Sequence, residues 1–292
     1  MRRIIGGVGR GLVTVGILIL LFVAYQLWGT GFYESRQQDK LQSQFHAQLA
    51  REKAAARRAA AASATTTTVP QIPPPAGDAI GIILIPKIGL ERAVVQGIGV
   101  EDLRKGPGHY PATPLPGQLG NAAIAGHRTT YGAPFNRIDE LAPGDPILIR
   151  TLSGTFHYSV TGHVIVTPSQ VSVLDPTADA TLTLTTCNPK YSASQRLVVK
   201  AVLDKEASPK PQVAPPQPVA SRASLDDALS GRGETRLPTL WFGLLTLLVG
   251  AGWWLLFHRY HRWTTWLMGG IPFAIVLFVF YFHLERLLPA NY

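Results

Sequence analysis

The chain has 292 residues, a formal net charge of +9 and one cysteine, so it forms no internal disulfide and holds one or two domains. The positive surplus does not point to nucleic acid, because Asp78–Asp204 carries ten basic and ten acidic residues and the excess lies in the flanking arms. No cysteine or histidine pair has metal-ligand spacing and no phosphate loop or dinucleotide motif is present, so no metal and no cofactor is expected.

Taken in chain order, residues 1–10 are basic and residues 11–28 form an apolar stretch of the length that crosses a hydrocarbon core as helix. Two readings stand for that stretch, a cleaved signal peptide and an uncleaved signal anchor. Its length, and the lack of a small-x-small cleavage pattern before Glu34, favour the anchor. Residues 29–64 are rich in Ala, Gln, Lys, Arg and Glu, with Leu41, Phe45 and Leu49 at helical spacing. They predict an extracytoplasmic helical stalk of roughly 45 Å that lifts a domain away from the bilayer. A Thr/Pro linker follows at 65–77, and a second, Pro-rich linker occupies 205–238. Two more apolar stretches, 239–257 and 264–282, flank a short basic loop at 258–263 and precede a tail at 283–292.

Three membrane-spanning helices are therefore expected. Arg2, Arg3 and Arg10, together with Arg259 and Arg262 in the short loop, place the amino terminus and that loop in the cytoplasm by the positive-inside rule. The segment 78–204 then lies outside the cell membrane. Its surroundings are basic arms that suit anionic lipid or wall polymer, or that are simply solvated.

Within 78–204 the apolar runs are short: 80–85, 92–96, 121–125, 146–151, 155–167, 181–186 and 196–203. Turn residues such as Ser153-Gly154 separate them, which predicts an all-β barrel or sandwich, with a short helix at 138–141. The run Thr181-Leu182-Thr183-Leu184-Thr185-Thr186-Cys187 alternates, so Leu182 and Leu184 share one face and Cys187 falls on the threonine face. A lone free cysteine is commonly buried and inert. In an exported chain, however, an oxidisable thiol is little use unless it reacts. His127 ends the apolar run 122–125 and opens a polar loop, and Arg196 follows Cys187 by nine residues, a distance that suits a return on the neighbouring antiparallel strand. Thiol, imidazole and guanidinium are the parts needed to attack an amide and stabilise the oxyanion. Of the other histidines, His46, His258, His261 and His283 lie in stalk, loop or membrane end, His157 and His163 lie on a strand surface, and His109 is the rival to His127.

These motifs carry a family resemblance. Leu182-Thr183-Leu184-Thr185-Thr186-Cys187, with Gly126-His127-Arg128 upstream and Arg196 downstream, resembles the sortase family of cysteine transpeptidases over about residues 80–203. Ile85-Pro86-Lys87-Ile88, Gly106-Pro107-Gly108-His109-Tyr110-Pro111 and Tyr131-Gly132-Ala133-Pro134-Phe135 extend the match and resemble class E more than class A. The resemblance implies a closed eight-stranded β-barrel with Cys187, His127 and Arg196 as catalytic residues. It also implies contacts of Tyr110, Thr186 and His109 with the substrate, Tyr110 reading the second position of an LAXTG-type signal. The implied partners are surface proteins bearing a sorting signal and an amine of a peptidoglycan precursor. Two alternatives stay open: a pilin polymerase like class C, although no amino-terminal lid motif is evident, and an inactive membrane-tethered module that binds wall peptides.

Overall fold

The computed structural model describes residues 2–61, 73–213, 237–257 and 263–284. The chain divides into two units, residues 1–25 with 232–290, and residues 26–231 with 291–292.

The first unit is helical: α1 (Arg2–Ala24), α4 (Leu237–Phe257) and α5 (Trp263–Leu284). Among the described residues, two helices are long and apolar enough to cross a hydrocarbon core, one beginning at Gly11 and one at Leu237–Leu256. The third expected stretch lies in α5, where Met268–Leu284 is a shorter apolar helix. The Tyr281 hydroxyl donates to the Leu18 carbonyl at 2.6 Å, and the Phe22 and Tyr281 rings meet edge to face at 5.1 Å.

The second unit is a closed barrel of eight strands in the order β1-β2-β3-β4-β7-β8-β6-β5. The strands are β1 (Ala79–Ile85), β2 (Leu90–Gln96), β3 (Gly108–His109), β4 (Asn121–Ala125), β5 (Pro146–Thr151), β6 (Gly154–Val166), β7 (Thr181–Asn188) and β8 (Gln195–Leu203), with one helical turn, α3 (Val100–Leu103), between β2 and β3. Seven of the eight coincide with apolar runs read from the sequence. The eighth, β3, is two residues long and has no alternation to detect. Ile83, Val94, Ile124, Ile149, Phe156 and Leu184 fill the interior. Closure removes every free sheet edge except where a strand is too short to cover its neighbour.

That exception lies beside β2, which pairs with β3 only at Val95 and Gln96. A second helix, α2 (Thr30–Ala61), covers the gap. Gln38 acts there as a substitute for a strand: its Nε2 donates to the carbonyls of Ala93 (3.0 Å) and Lys105 (2.8 Å), while its Oε1 accepts the Ala93 N–H at 2.7 Å. Leu41 packs on Ala93 and Val95, the outward residues of β2. The helix expected as a stalk is present as α2, and its first four turns pack on the barrel. Thr30, Glu34, Gln38, Leu41 and Phe45 form one buried stripe at helical period, and three of the five are polar, which hid the stripe from an apolar periodicity. Beyond Phe45 the helix is largely exposed, with Leu49 half-buried. Most of both expected linkers, the short basic loop with His258 and His261, and the end of the tail lie outside the described residues.

Candidate active site

Three adjacent strands meet at one rim of the barrel. β4 and β7 run parallel with Ala125 opposite Thr185. The pairing continues past the strand end, since the Gly126 N–H donates to the Thr185 carbonyl (3.0 Å) and Thr186 Oγ1 donates to the Gly126 carbonyl (2.7 Å). His127 and Cys187 therefore stand at the same offset, two residues beyond one paired couple, on neighbouring strands. In the antiparallel pair of β7 with β8, Cys187 is the register partner of Arg196. The three residues sought from the sequence come to one rim because parallel and antiparallel register put them there.

The loop after His127 folds back under it. The Phe135 N–H donates to the His127 carbonyl at 3.0 Å, and a Cβ on Gly126 would lie 2.6 Å from the Phe135 ring, so only glycine lets the loop close this tightly. His127 Nδ1 lies 3.3 Å from Thr130 Oγ1, and its ring packs on Tyr131 with centroids 5.0 Å apart.

The electrostatics are those of a charged site withdrawn from water. Cys187, His127, Arg128 and Arg196 are all buried. Burial pushes the Cys187 thiol up from its ordinary value, opposed first by the Arg196 guanidinium and then by that of Arg128. Arg196 Nη1 donates to the carbonyls of Ala193 (2.9 Å) and Gln195 (3.1 Å), which orients the group at the head of β8.

Arg128 is the residue that the sequence reading quoted without assigning a role. Its Nη1 donates to the Cys187 carbonyl (3.0 Å) and to Asn188 Oδ1 (2.7 Å), and its Nη2 lies 3.1 Å from Asp139 Oδ2. It clamps the end of β7 while adding positive charge near the thiol. Its place directly after His127 was the available signal. Asp139 is its carboxylate partner.

The three residues expected to contact substrate are all inside the protein. His109 is 0% exposed, with Nδ1 2.9 Å from Gln96 Oε1 and Nε2 2.9 Å from the Pro114 carbonyl oxygen. Tyr110 is 2% exposed and its hydroxyl pairs with Thr185 Oγ1 at 3.1 Å. Thr186 is 0% exposed and committed to the Gly126 carbonyl. These residues support the rim from beneath, because the threonine face of β7 is polar yet covered: Thr183 donates to Asn121 Oδ1 at 2.6 Å. Among the described residues no group of three or more His, Cys, Asp and Glu is placed to hold a metal ion.

The model of the Sortase domain family matches residues 83–204. Sortase SrtE1 of Streptomyces coelicolor is 33% identical over 208 residues, covering 66% of this chain and 55% of that protein. Sortase D of Bacillus subtilis is 37% identical over 117 residues, covering 40% of this chain and 58% of the relative. The chain thus spans less than two thirds of the length of either. The solved structure of sortase E from Streptomyces avermitilis is 39% identical, covers 45% of this chain and 91% of its own, and has a TM-score of 0.41.

Proposed function

The chain belongs to the sortase family of cysteine transpeptidases, and on that premise we propose that Cys187 is its nucleophile, His127 its general acid and base, and Arg196 its oxyanion stabiliser. The observation that carries this reading is the register: Cys187 opposite Arg196, with His127 at the matching offset of the parallel neighbour.

The thiolate of Cys187 attacks the threonine carbonyl of a Thr-Gly bond in an LAXTG- or LPXTG-type signal. The carbonyl electron pair moves onto oxygen, where the Arg196 guanidinium stabilises it. Collapse breaks the C–N bond, His127 protonates the departing amine, and a Cys187 thioester remains. An incoming amine, from a peptidoglycan precursor, attacks the thioester. His127 takes its proton and the thiolate is released. At ordinary pKa values only about 1% of such pairs are thiolate with imidazolium. Burial raises the Cys187 value further, so the two guanidiniums beside the thiol matter to the reactive fraction.

The similarity to class E relatives supports an LAXTG-type signal. Tyr110, Thr186 and His109 are read as supports of the groove floor. The membrane reading extends to three spans, α1, α4 and α5, with the barrel outside the cell membrane, supported by the apolar helices and the basic loop between the last two. The two carboxyl-terminal helices also favour a second reading, a pilin polymerase, in which the acceptor is a lysine of another pilin instead of a wall precursor.

The test is the full chain in detergent, incubated with LAXTG and LPXTG peptides and with triglycine or a lysine-bearing pilin peptide as acceptor, with mass spectrometry of the products. A transpeptidation product that disappears in Cys187→Ala is expected, with LAXTG preferred. Absence of both acyl-enzyme and product from a folded chain would leave a binding module of wall peptides.

A further inference from the structure

The loop that carries the ring packed against His127 is strained. Tyr131, Gly132 and Ala133 follow one another at φ of 49°, 70° and 45°, so two residues with side chains adopt the left-handed region in succession. Such a conformation is costly for a residue with a side chain and persists only where its surroundings hold it. The holding groups come from α2, some one hundred residues earlier in the chain. Thr30 Oγ1 donates to the Gln26 carbonyl (2.8 Å) and accepts the Tyr131 N–H (3.1 Å). The Tyr33 ring meets Tyr131 edge to face at 6.5 Å. Gly132 rests on the Glu34 carboxylate, where a Cβ would come within 2.5 Å of Glu34 Oε2. Glu34 in turn accepts from Arg92 Nε at 2.9 Å, and Gln38 fastens the next turn of α2 to β2.

We propose that the first turns of α2 form a positioning element of the active site, in which Thr30 and Tyr33 hold the Tyr131-Gly132-Ala133 loop in its left-handed conformation and thereby fix the ring of His127. This rests on the reading of His127 as general acid and base. Thr30 and Tyr33 touch no reacting atom; they act through Tyr131. The segment that leads from the first apolar helix into the barrel is then part of the catalytic apparatus, and a displacement of about 1 Å at the imidazole is enough to lower the rate by up to about 100-fold.

The experiment compares the full-length chain in detergent micelles with Thr30→Val, Tyr33→Ala, the double variant and Tyr33→Phe. It measures kcat and KM on an LAXTG peptide, the melting temperature, and the proton resonances of a histidine-labelled chain, with the His127 signal assigned by its loss in His127→Ala. The expected result is a fall in kcat of about 10–100-fold in the double variant with KM within about twofold. Tyr33→Phe, which keeps the ring contact, recovers the rate lost in Tyr33→Ala. The His127 ring resonance, shifted by the neighbouring Tyr131 ring, moves in the double variant and returns in Tyr33→Phe. Unchanged kcat with an unmoved His127 resonance in a folded double variant would overturn the proposal, and so would a raised KM at constant kcat. If the double variant does not fold, Thr30→Val, which removes one hydrogen bond and keeps the shape, carries the same predictions at smaller size. A wild-type chain without turnover would refute the transpeptidase reading, and the His127 resonance would still decide the positioning role.

Discussion

His109 and His127 are both buried histidines of one barrel, the first in β3 and the second just beyond β4, and burial alone does not tell them apart. Their partners do. Both ring nitrogens of His109 face oxygens of its own domain, and burial pushes its pKa down to about 4, so it is a neutral strut at neutral pH. His127 stands at the end of a strand, level with Cys187 on the parallel neighbour, on a loop braced from outside the barrel. His109 is enclosed by the sheet that carries it, whereas His127 is carried past the end of its sheet, so other elements must hold it.

The sharpest way to break this contrast is to remove each ring in turn. His127→Ala is expected to lower kcat by about 10²–10⁴-fold with little change in unfolding free energy. His109→Ala is expected to do the reverse, costing about 2–4 kcal/mol by leaving buried partners of the ring unsatisfied while the folded fraction still turns over. Steady-state kinetics beside urea unfolding reads both. If His109→Ala removed turnover from a fully folded chain, the strut reading would fail.

Between those two effects lies the bracing helix. A fragment beginning at Asp78 loses Gln38, Leu41 and Phe45, and is expected to be about 3–5 kcal/mol less stable than one beginning at Gln26, from lost apolar burial and buried hydrogen bonds. Urea titration of the two fragments checks this, and equal midpoints would return α2 to the role of a detached stalk.

The smallest effect is in pH. His109 has a depressed folded pKa, so the stability it contributes is present above 6.5 and is lost as pH falls toward about 4. Glu34 is the opposite case: desolvation, only partly offset by Arg92, raises its pKa to about 7, so the stability it contributes is present below 4.5 and is lost as pH rises through about 7. Glu34→Gln is expected to flatten the alkaline side of the melting profile, with differences of a few degrees between pH 5 and pH 8. A wild-type profile that keeps its alkaline slope in this variant would remove Glu34 as the cause.

Much of this molecule was readable before any fold was known, and the gaps have common causes. Seven strands announced themselves because half-buried or buried strands must be apolar and must end in turn residues. β3 did not, since two residues carry no pattern. Cys187, His127 and Arg196 were singled out by motif order and by their places at strand ends, and the strand register brings the three to one rim. Arg128 was in plain view, but nothing in a local pattern reveals that a guanidinium will reach the carbonyl of a residue fifty-nine positions away. The groove contacts assigned to His109, Tyr110 and Thr186 came from resemblance, and the fold enclosed all three. The docking of α2 was hidden because its buried stripe opens with Thr30, Glu34 and Gln38, polar residues whose burial is tolerated only with partners supplied by the barrel.

Local chemistry by itself determined the β class of the central segment and the apolar helices, because alternation and hydropathy are properties of neighbouring residues, and motif order singled out Cys187, His127 and Arg196 as the candidates. Tertiary structure alone decided that Cys187 pairs with Arg196 and stands level with His127, that three further candidates are enclosed, and that a polar helix stripe braces a strained loop. Each of those depends on sheet register and on hydrogen bonds between residues distant in sequence, and such partners exist only once the barrel has closed.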